Sequence, residues 1–126
     1  DRKNAAYIGR YKSTVSDMGE YYTRSQTMGG RTDTRWIALT ANNGKGLKIT
    51  STDVFDFSAL HYTDKDLWNV KYGHDLEDIR RSEVVLNLDC IQRGLGNASC
   101  GPGPRPQYEI KKDTVYRYSF WIEPIE

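Results

Sequence analysis

The chain has 126 residues, and its 18 Lys and Arg against 17 Asp and Glu give a formal net charge of only +1. This length predicts one domain with a hydrophobic core. The balanced charge excludes the basic surface that is typical of nucleic-acid-binding proteins, and no apolar run approaches the roughly 18 residues that span a bilayer. We therefore expect a soluble protein with neither nucleic acid nor membrane as a partner.

Aromatic residues are numerous, since nine Tyr, three Trp and three Phe make up 12% of the chain. This composition is typical of β-sheet proteins. The two cysteines, Cys90 and Cys100, are too few for a disulfide framework, and we interpret them as free thiols in preference to a hairpin disulfide. The two histidines, His61 and His74, show no zinc-finger spacing, so no metal site is expected.

The first half of the chain shows the period-two alternation of β-strands. We predict a half-exposed strand at residues 7–15, and a strand at 35–40 that is apolar on both faces and therefore covered on both sides. A turn at 42–44 joins this strand to a hairpin partner at 46–50. A further strand is predicted at 54–62. Its core-facing residues are Phe55, Phe57 and Ala59.

The second half begins with a predicted short helix at residues 64–69, because Thr63 and Asp66 have the spacing of a capping box. The pattern at 74–80 is ambiguous between helix and strand, and we favour an extended edge. A strand at 83–91, a loop rich in Gly and Pro at 94–104, and strands at 107–111 and 114–122 complete the chain. The predicted fold class is all-β, an antiparallel β-sandwich with one short helix.

The predicted strands carry more apolar surface than about seven short strands can cover by themselves. We therefore expect residues 1–126 to form a single domain that is a portion of a larger protein.

Four segments in sequence order resemble the C-terminal domain of the family 2 glycoside hydrolases called β-galactosidases, also named the β-galactosidase small chain. The likeness runs nearly end to end. The segments are Asp1-Arg2-Lys3-Asn4-Ala5-Ala6 with Gly9-Arg10-Tyr11; Gly30-Arg31-Thr32-Asp33-Thr34-Arg35-Trp36 with Ala38-Leu39-Thr40; Phe57-Ser58-Ala59-Leu60-His61-Tyr62-Thr63 with Asp66-Leu67; and Leu88-Asp89 with Gly94-Leu95-Gly96-Asn97-Ala98-Ser99-Cys100-Gly101-Pro102.

The resemblance implies that the chain is the C-terminal portion of a large, galactose-mutarotase-like β-sandwich beside a catalytic TIM barrel. A barrel needs roughly 250 residues, so it is absent from this chain, together with the two glutamates of retaining hydrolysis. No catalytic residue is expected here. The implied parent enzyme hydrolyses terminal non-reducing β-D-galactosides, often uses Mg²⁺ and Na⁺ in its barrel, and can be a homo-oligomer. The bacterial cytoplasm and periplasm both remain open as its compartment.

The resemblance also implies that loop 94–102 lines part of the sugar site. Some family members place a stacking tryptophan where this chain has Cys100, and a thiol offers no ring face to a galactose. The candidate substrate-binding residues are Asn97, Ser99 and Cys100, acting as small polar contacts with the galactoside.

Other candidate residues have structural interpretations that we favour. Cys100 has no neighbouring base to activate it as a nucleophile. The acid pairs Asp64/Asp66 and Glu77/Asp78 are interpreted as capping and solvated charge rather than as a catalytic dyad. His61 is interpreted as a hydrogen-bonded core or rim residue.

The alternative function is a stand-alone carbohydrate-binding module that holds sugars on aromatic rings. Trp36 and Trp121 are interpreted as core residues because of their strand positions. Trp68 is the best candidate for an exposed ring and would form the sugar platform with Tyr21 and Tyr22.

Overall fold

The computed structural model describes residues 7–20, 28–94, 98 and 100–126. Within these residues the chain forms four strands, two short α-helices and two 3₁₀ helices. In chain order they are α1 (Val15–Met18), β1 (Arg31–Thr40), β2 (Gly46–Leu60), α2 (Asp64–Asn69), the 3₁₀ helix Gly73–Ile79, β3 (Val85–Asp89), the 3₁₀ helix Pro106–Tyr108 and β4 (Phe120–Ile125).

The strands form one sheet in the order β1-β2-β3, and β4 also pairs with β2. The β2–β4 pairing is antiparallel, with a register from Gly46 opposite Ile125 to Ser51 opposite Phe120. The β1–β2 hairpin is closed by the Ala41 N–H, which donates to the Lys45 carbonyl at 2.8 Å. Its turn contains Gly44 at φ 83°, a backbone conformation that favours glycine. The predicted all-β, antiparallel sandwich-type fold is confirmed.

The chain divides into two compact units. The first comprises residues 1–32 and 57–88. Its core lies where the end of β2 meets α2 and the 3₁₀ helix Gly73–Ile79. The predicted burial of Ala59 is confirmed. The other buried hydrophobic residues of this unit are Met18, Met28, Leu60, Tyr62, Leu67, Val70 and Leu76.

The second unit comprises residues 33–56 and 89–126. Its core is small and is centred on Ile49 and Phe55, which are almost completely buried, together with Ile37. The Phe120 ring packs edge-on against Phe55, with ring centroids 5.3 Å apart and an interplanar angle of 82°. Such an edge-to-face pair is a favourable aromatic geometry, and it ties β4 to β2.

Three predicted strands are wrong because local polar contacts or prolines hold the backbone in other conformations. Residues 7–14 are irregular and lead into α1, whose first turn is capped by the Thr14 side chain accepting from the Asp17 N–H at 3.2 Å. Residues 74–80 lie mostly in a 3₁₀ helix, where the Asp75 carboxylate accepts from the Tyr72 N–H at 3.3 Å. Residues 107–111 follow Pro106, which begins a 3₁₀ helix.

The two strands predicted at 46–50 and 54–62 are one continuous strand, β2. The polar residues at its centre suggest a break, but the Ser51 hydroxyl donates to the Ser119 carbonyl at 3.0 Å beside the β2–β4 ladder. The strand predicted at 114–122 is formed only from Phe120 onward. The strand at 83–91 and the helix at 64–69 are confirmed as β3 and α2.

The interpretation of Trp36 and Trp121 as core residues is wrong. Their exposed fractions are 48% and 51%. Trp36 precedes the buried Ile37, and neighbouring residues of a strand point to opposite faces. Trp121 lies opposite Thr50 and therefore on the other face from the buried Ile49. The strand at 35–40 is consequently not covered on both sides in the described residues.

Gly46 begins β2 against the backbone of β1, and replacing it with Ala tests this close approach. A Cβ built at Gly46 would lie only 1.9 Å from the Leu39 carbonyl oxygen. Because backbone cannot move away as a flexible side chain can, we expect Gly46→Ala to lower the free energy of unfolding by about 1–3 kcal/mol. Urea unfolding measures this change.

Gly101→Ala is the control, because a Cβ built there meets nothing within 4 Å. Its expected effect is within about 0.5 kcal/mol. Equal unfolding midpoints for the two variants would contradict the tight packing at Gly46.

Candidate functional site

The candidate sugar-binding loop is only partly within the described residues. Asn97 and Ser99 lie outside them, so their predicted sugar contacts stay predictions. Cys100 is exposed and Cys90 is half-buried. Both are free thiols, which confirms the interpretation made from the cysteine count.

The base of this loop is a tight backbone contact between Gly94 and Tyr108. The Gly94 N–H donates to the Tyr108 carbonyl at 2.8 Å. A Cβ built at Gly94 would lie 2.6 Å from the Tyr108 Cβ and 3.2 Å from the Pro104 Cβ. Only glycine fits this position without displacing its neighbours. The hydrogen bond between Gly94 and Tyr108 holds the two ends of segment 94–108 together.

The C-terminal end of this segment is fixed by a short 3₁₀ helix, Pro106–Tyr108. The Tyr108 N–H donates to the Arg105 carbonyl at 2.8 Å, and Pro106 restricts its own φ. Inside the segment Ala98 has φ 60°, a conformation that costs roughly 1–2 kcal/mol for a residue with a Cβ. The Gly and Pro content of the sequence predicts an irregular backbone path, but it does not identify Tyr108 as the partner that closes it.

Asp56 in the second unit is a carboxyl group that sequence reasoning missed. Burial raises the pKa of Asp56, and the charges of Asp33 and Asp89 raise it further. The Asp33 N–H opposes this shift by donating to the Asp56 Oδ1 at 3.1 Å. A carboxyl group with a raised pKa is what acid catalysis requires. Only the spatial approach of β1 and β2 reveals it, and no motif marks it in the sequence.

The sequence indicated a capping role for the acid pair Asp64/Asp66. Asp66 is the residue of the pair that forms the cap. Asp66 accepts from the Thr63 N–H at 2.8 Å, while the Thr63 hydroxyl accepts from the Asp66 N–H at 3.1 Å, which completes a capping box. Arg81 donates to both carboxylate oxygens of Asp66, at 2.5 and 2.9 Å. The Arg81 guanidinium, helped by Thr63, holds the pKa of Asp66 well below its usual range.

His61 is a hydrogen-bonded residue at the rim of the first unit, as predicted. Its Nδ1 lies 3.2 Å from the Glu83 carbonyl oxygen, and its own carbonyl accepts from the Arg81 N–H at 3.0 Å. These bonds fix the chain between the 3₁₀ helix Gly73–Ile79 and β3. These two hydrogen bonds give His61 a structural role.

Trp68 is 69% exposed, which confirms the prediction of an exposed ring on the short helix. Tyr21 and Tyr22, its proposed partners in a sugar platform, lie outside the described residues. Nearby in sequence, the rings of Tyr72 and His74 stack with centroids 5.3 Å apart, and the Lys71 ammonium lies 5.1 Å from the Tyr72 centroid.

No metal-binding group of three or more His, Cys, Asp or Glu side chains is found among the residues that the structure describes. A search of the same residues for a helix long and apolar enough to cross a membrane also finds none.

Replacing Arg81 with Gln tests the ion pair with Asp66 through its pH dependence. The folded pKa of Asp66 is lower than the ordinary value of 3.8. The pair therefore contributes its full stability above the unfolded pKa, and the contribution is lost as the pH falls through the folded pKa. We expect Arg81→Gln to be less stable than wild type at neutral pH, by a margin that shrinks below about pH 4, as measured by urea unfolding at several pH values.

Arg80→Gln is the matched control, because Arg80 donates to the Ser16 hydroxyl at 2.7 Å and that group does not titrate in this range. Its margin relative to wild type is expected to stay constant. A constant margin for Arg81→Gln as well would contradict the role of the Asp66 carboxylate.

Comparison with known proteins gives a consistent result. A family model for the β-galactosidase small chain matches residues 1–122. The chain is 30% identical over 120 residues to a β-galactosidase of Staphylococcus xylosus, an alignment that covers 95% of the chain and 12% of the relative. It is 27% identical to the β-galactosidases of Priestia megaterium and Streptococcus thermophilus, over 99% of the chain and 12% of each relative.

The chain thus spans about an eighth of the length of the curated relatives that it matches. The match to the family model covers almost all of its residues. Because the family model matches almost the whole chain, the chain belongs to the β-galactosidase small chain family.

Proposed function

We propose that this chain is the non-catalytic, C-terminal β-sandwich portion of a retaining β-galactosidase of glycoside hydrolase family 2. In that enzyme it supports the catalytic barrel and lines part of the galactose site with loop 94–102. The observation that carries the proposal is the family match over residues 1–122, together with relatives that are named β-galactosidases and are about eight times longer.

Exposed apolar surface on the second unit supports a role in packing against other domains. Leu47 and Ile122 lie on the same face of the β2–β4 ladder as Ile49, and both are exposed beside that buried residue. On the opposite face Trp121 is half-exposed. Clustered apolar side chains on a protein surface usually mark an interface, and the remainder of a longer polypeptide is the occupant that we propose.

The contact at the base of loop 94–102 supports a binding role. Its base is held by the Gly94–Tyr108 contact, and Pro102 restricts its own φ at the end of the loop. Holding the two ends of a loop together before binding reduces the entropy that binding costs. Asn97, Ser99 and Cys100 would present small polar groups from such a loop to the hydroxyls of a galactoside.

The chemistry itself is assigned to residues outside this chain. Retaining hydrolysis needs a nucleophilic carboxylate and an acid/base carboxyl group about 5 Å apart, and we propose that both glutamates lie in the barrel. The Mg²⁺ and Na⁺ ions that the resemblance implies would bind there too. Self-association of the parent enzyme is proposed on the same grounds.

The first test compares hydrolysis of a chromogenic β-galactoside by the 126-residue chain and by the full-length polypeptide that carries it. We expect activity only in the full-length polypeptide, because the chain lacks the paired glutamates. Hydrolysis by the chain alone would contradict the proposal. In that event Asp56→Asn, with Asp53→Asn as the control on the same strand, would show whether the raised pKa of Asp56 serves acid catalysis.

The second candidate function is a stand-alone carbohydrate-binding module, and the exposure of Trp68 favours it. The two functions differ in the behaviour of the isolated chain. A quench or shift of tryptophan fluorescence on titration with galactose or lactose, lost in Trp68→Ala and kept in Trp36→Ala, would support the module. An unchanged signal would leave the β-galactosidase portion as the function.

A further inference from the structure

The sheet of the second unit has two faces of different composition. One face carries the buried residues Ile49 and Phe55. The opposite face, which we call the tryptophan face, comprises Trp36, Lys48, Thr50, Trp121 and Glu123. We propose that the tryptophan face docks on another folded domain of the same polypeptide, with Trp36 and Trp121 as its anchors. This inference rests on the proposed function, because it takes the chain to be one portion of a longer enzyme.

The strand register places four of these residues on one face. In the β2–β4 ladder Trp121 lies opposite Thr50, and Glu123 lies opposite Lys48. Residues that lie directly opposite each other in an antiparallel pair point to the same face of the sheet. Because side chains alternate along a strand, this face is the one that points away from the buried Ile49.

Trp36 reaches the same face from the other side of β2. It precedes Ile37, which is buried in the core that contains Ile49, so the Trp36 side chain points away from that core. β1 and β4 both pair with the beginning of β2 and therefore lie along its two opposite edges. Since neighbouring strands are about 5 Å apart, the strands that carry Trp36 and Trp121 are separated by about 10 Å.

The composition of the tryptophan face is typical of an interface between domains and not of a core. Lys48 and Glu123 would lose their hydration in a core, whereas interfaces between the domains of one chain accept such charges at a polar rim. Tryptophan is enriched at the centre of interfaces, where a few aromatic residues contribute most of the binding free energy. Trp36 and Trp121 are 48% and 51% exposed, so both rings present surface to a partner.

Another part of the same polypeptide is the occupant that these observations favour. The chain covers only 12% of the length of the Staphylococcus xylosus and Priestia megaterium relatives. In a polypeptide of similar length, this chain is joined to far more folded protein than it contributes. A tethered partner is present at a high effective concentration, whereas a separate protein would also lose translational and rotational freedom on docking.

The test is hydroxyl-radical footprinting of the full-length polypeptide, with the oxidation rate of each tryptophan measured by mass spectrometry. Each rate is divided by the rate of the same residue in a proteolytic digest. If the tryptophan face is covered, we expect ratios below about 0.1 for Trp36 and Trp121, since anchor residues lie in desolvated pockets. Ratios near the exposed fractions of 48% and 51% would overturn the inference. Protection that appears only when lactose is added would also overturn it, because a sugar would then be the occupant.

Replacing Trp121 distinguishes another domain of the polypeptide from a second copy. We expect full-length Trp121→Ala to keep the molar mass of wild type in light scattering. It should lose its folded structure about three- to tenfold faster at a fixed elevated temperature, because an interface anchor is missing. Trp68→Ala, which removes an equally large exposed ring from the first unit, is the control and should keep the wild-type rate.

Two results for Trp121→Ala would contradict the inference. A molar mass below that of wild type would assign the face to a second copy, and a wild-type unfolding rate would refute the role of Trp121 as an anchor. The footprint needs no substitution and decides the question where Trp121→Ala fails to fold.

The activity of the wild-type polypeptide separates this inference from the proposed function. A full-length polypeptide that hydrolyses the β-galactoside but has both indole rings freely oxidised would overturn the docking and keep the proposed function. A full-length polypeptide without this activity, in which both rings are protected, would overturn the proposed function and keep the docking.

Discussion

Each strand of the described sheet pairs with β2, so the path of this one strand determines where the others lie. Its first residue is Gly46, which approaches the Leu39 carbonyl so closely that a Cβ there would clash with it. The part of β2 that follows pairs with β4 through a continuous register. Ile49 and Phe55 of β2 contribute to one core, and Ala59 and Leu60 near its end contribute to the other.

The sequence predicted the fold class and the strands in which apolar alternation dominates. Phe55 and Ala59 are buried as their spacing indicated, because removing apolar side chains from water is the dominant driving force for folding at those positions. Prediction failed where a short polar side chain bonds its own backbone neighbourhood. Thr14 and Asp75 hold helical turns in segments whose residue pattern suggests strands, and such local bonds compete with the sheet ladder.

The candidate site shows a similar division. Gly and Pro in residues 94–104 predict an irregular loop, because Gly allows backbone conformations that other residues avoid and Pro restricts its own φ. The contact that closes the loop joins Gly94 to Tyr108. No sequence pattern identifies these two residues as partners. The same limit applies to Asp56, whose pKa is raised by burial and is also influenced by Asp33 and Asp89 from other parts of the chain. The strand position of Trp121 predicts a core residue, yet the β2–β4 register places Trp121 opposite Thr50.

Arg80 and Arg81 are consecutive residues that bond to two segments far apart in the sequence, Ser16 in α1 and Asp66 in α2. The backbone of Arg80, with φ −58° and ψ 127°, leaves the helical conformation, and the two side chains reach different acceptors. Deleting one residue here would leave a single arginine for two distant acceptors. The number of residues between the 3₁₀ helix Gly73–Ile79 and β3 is therefore constrained, because each of the two acceptors needs its own arginine.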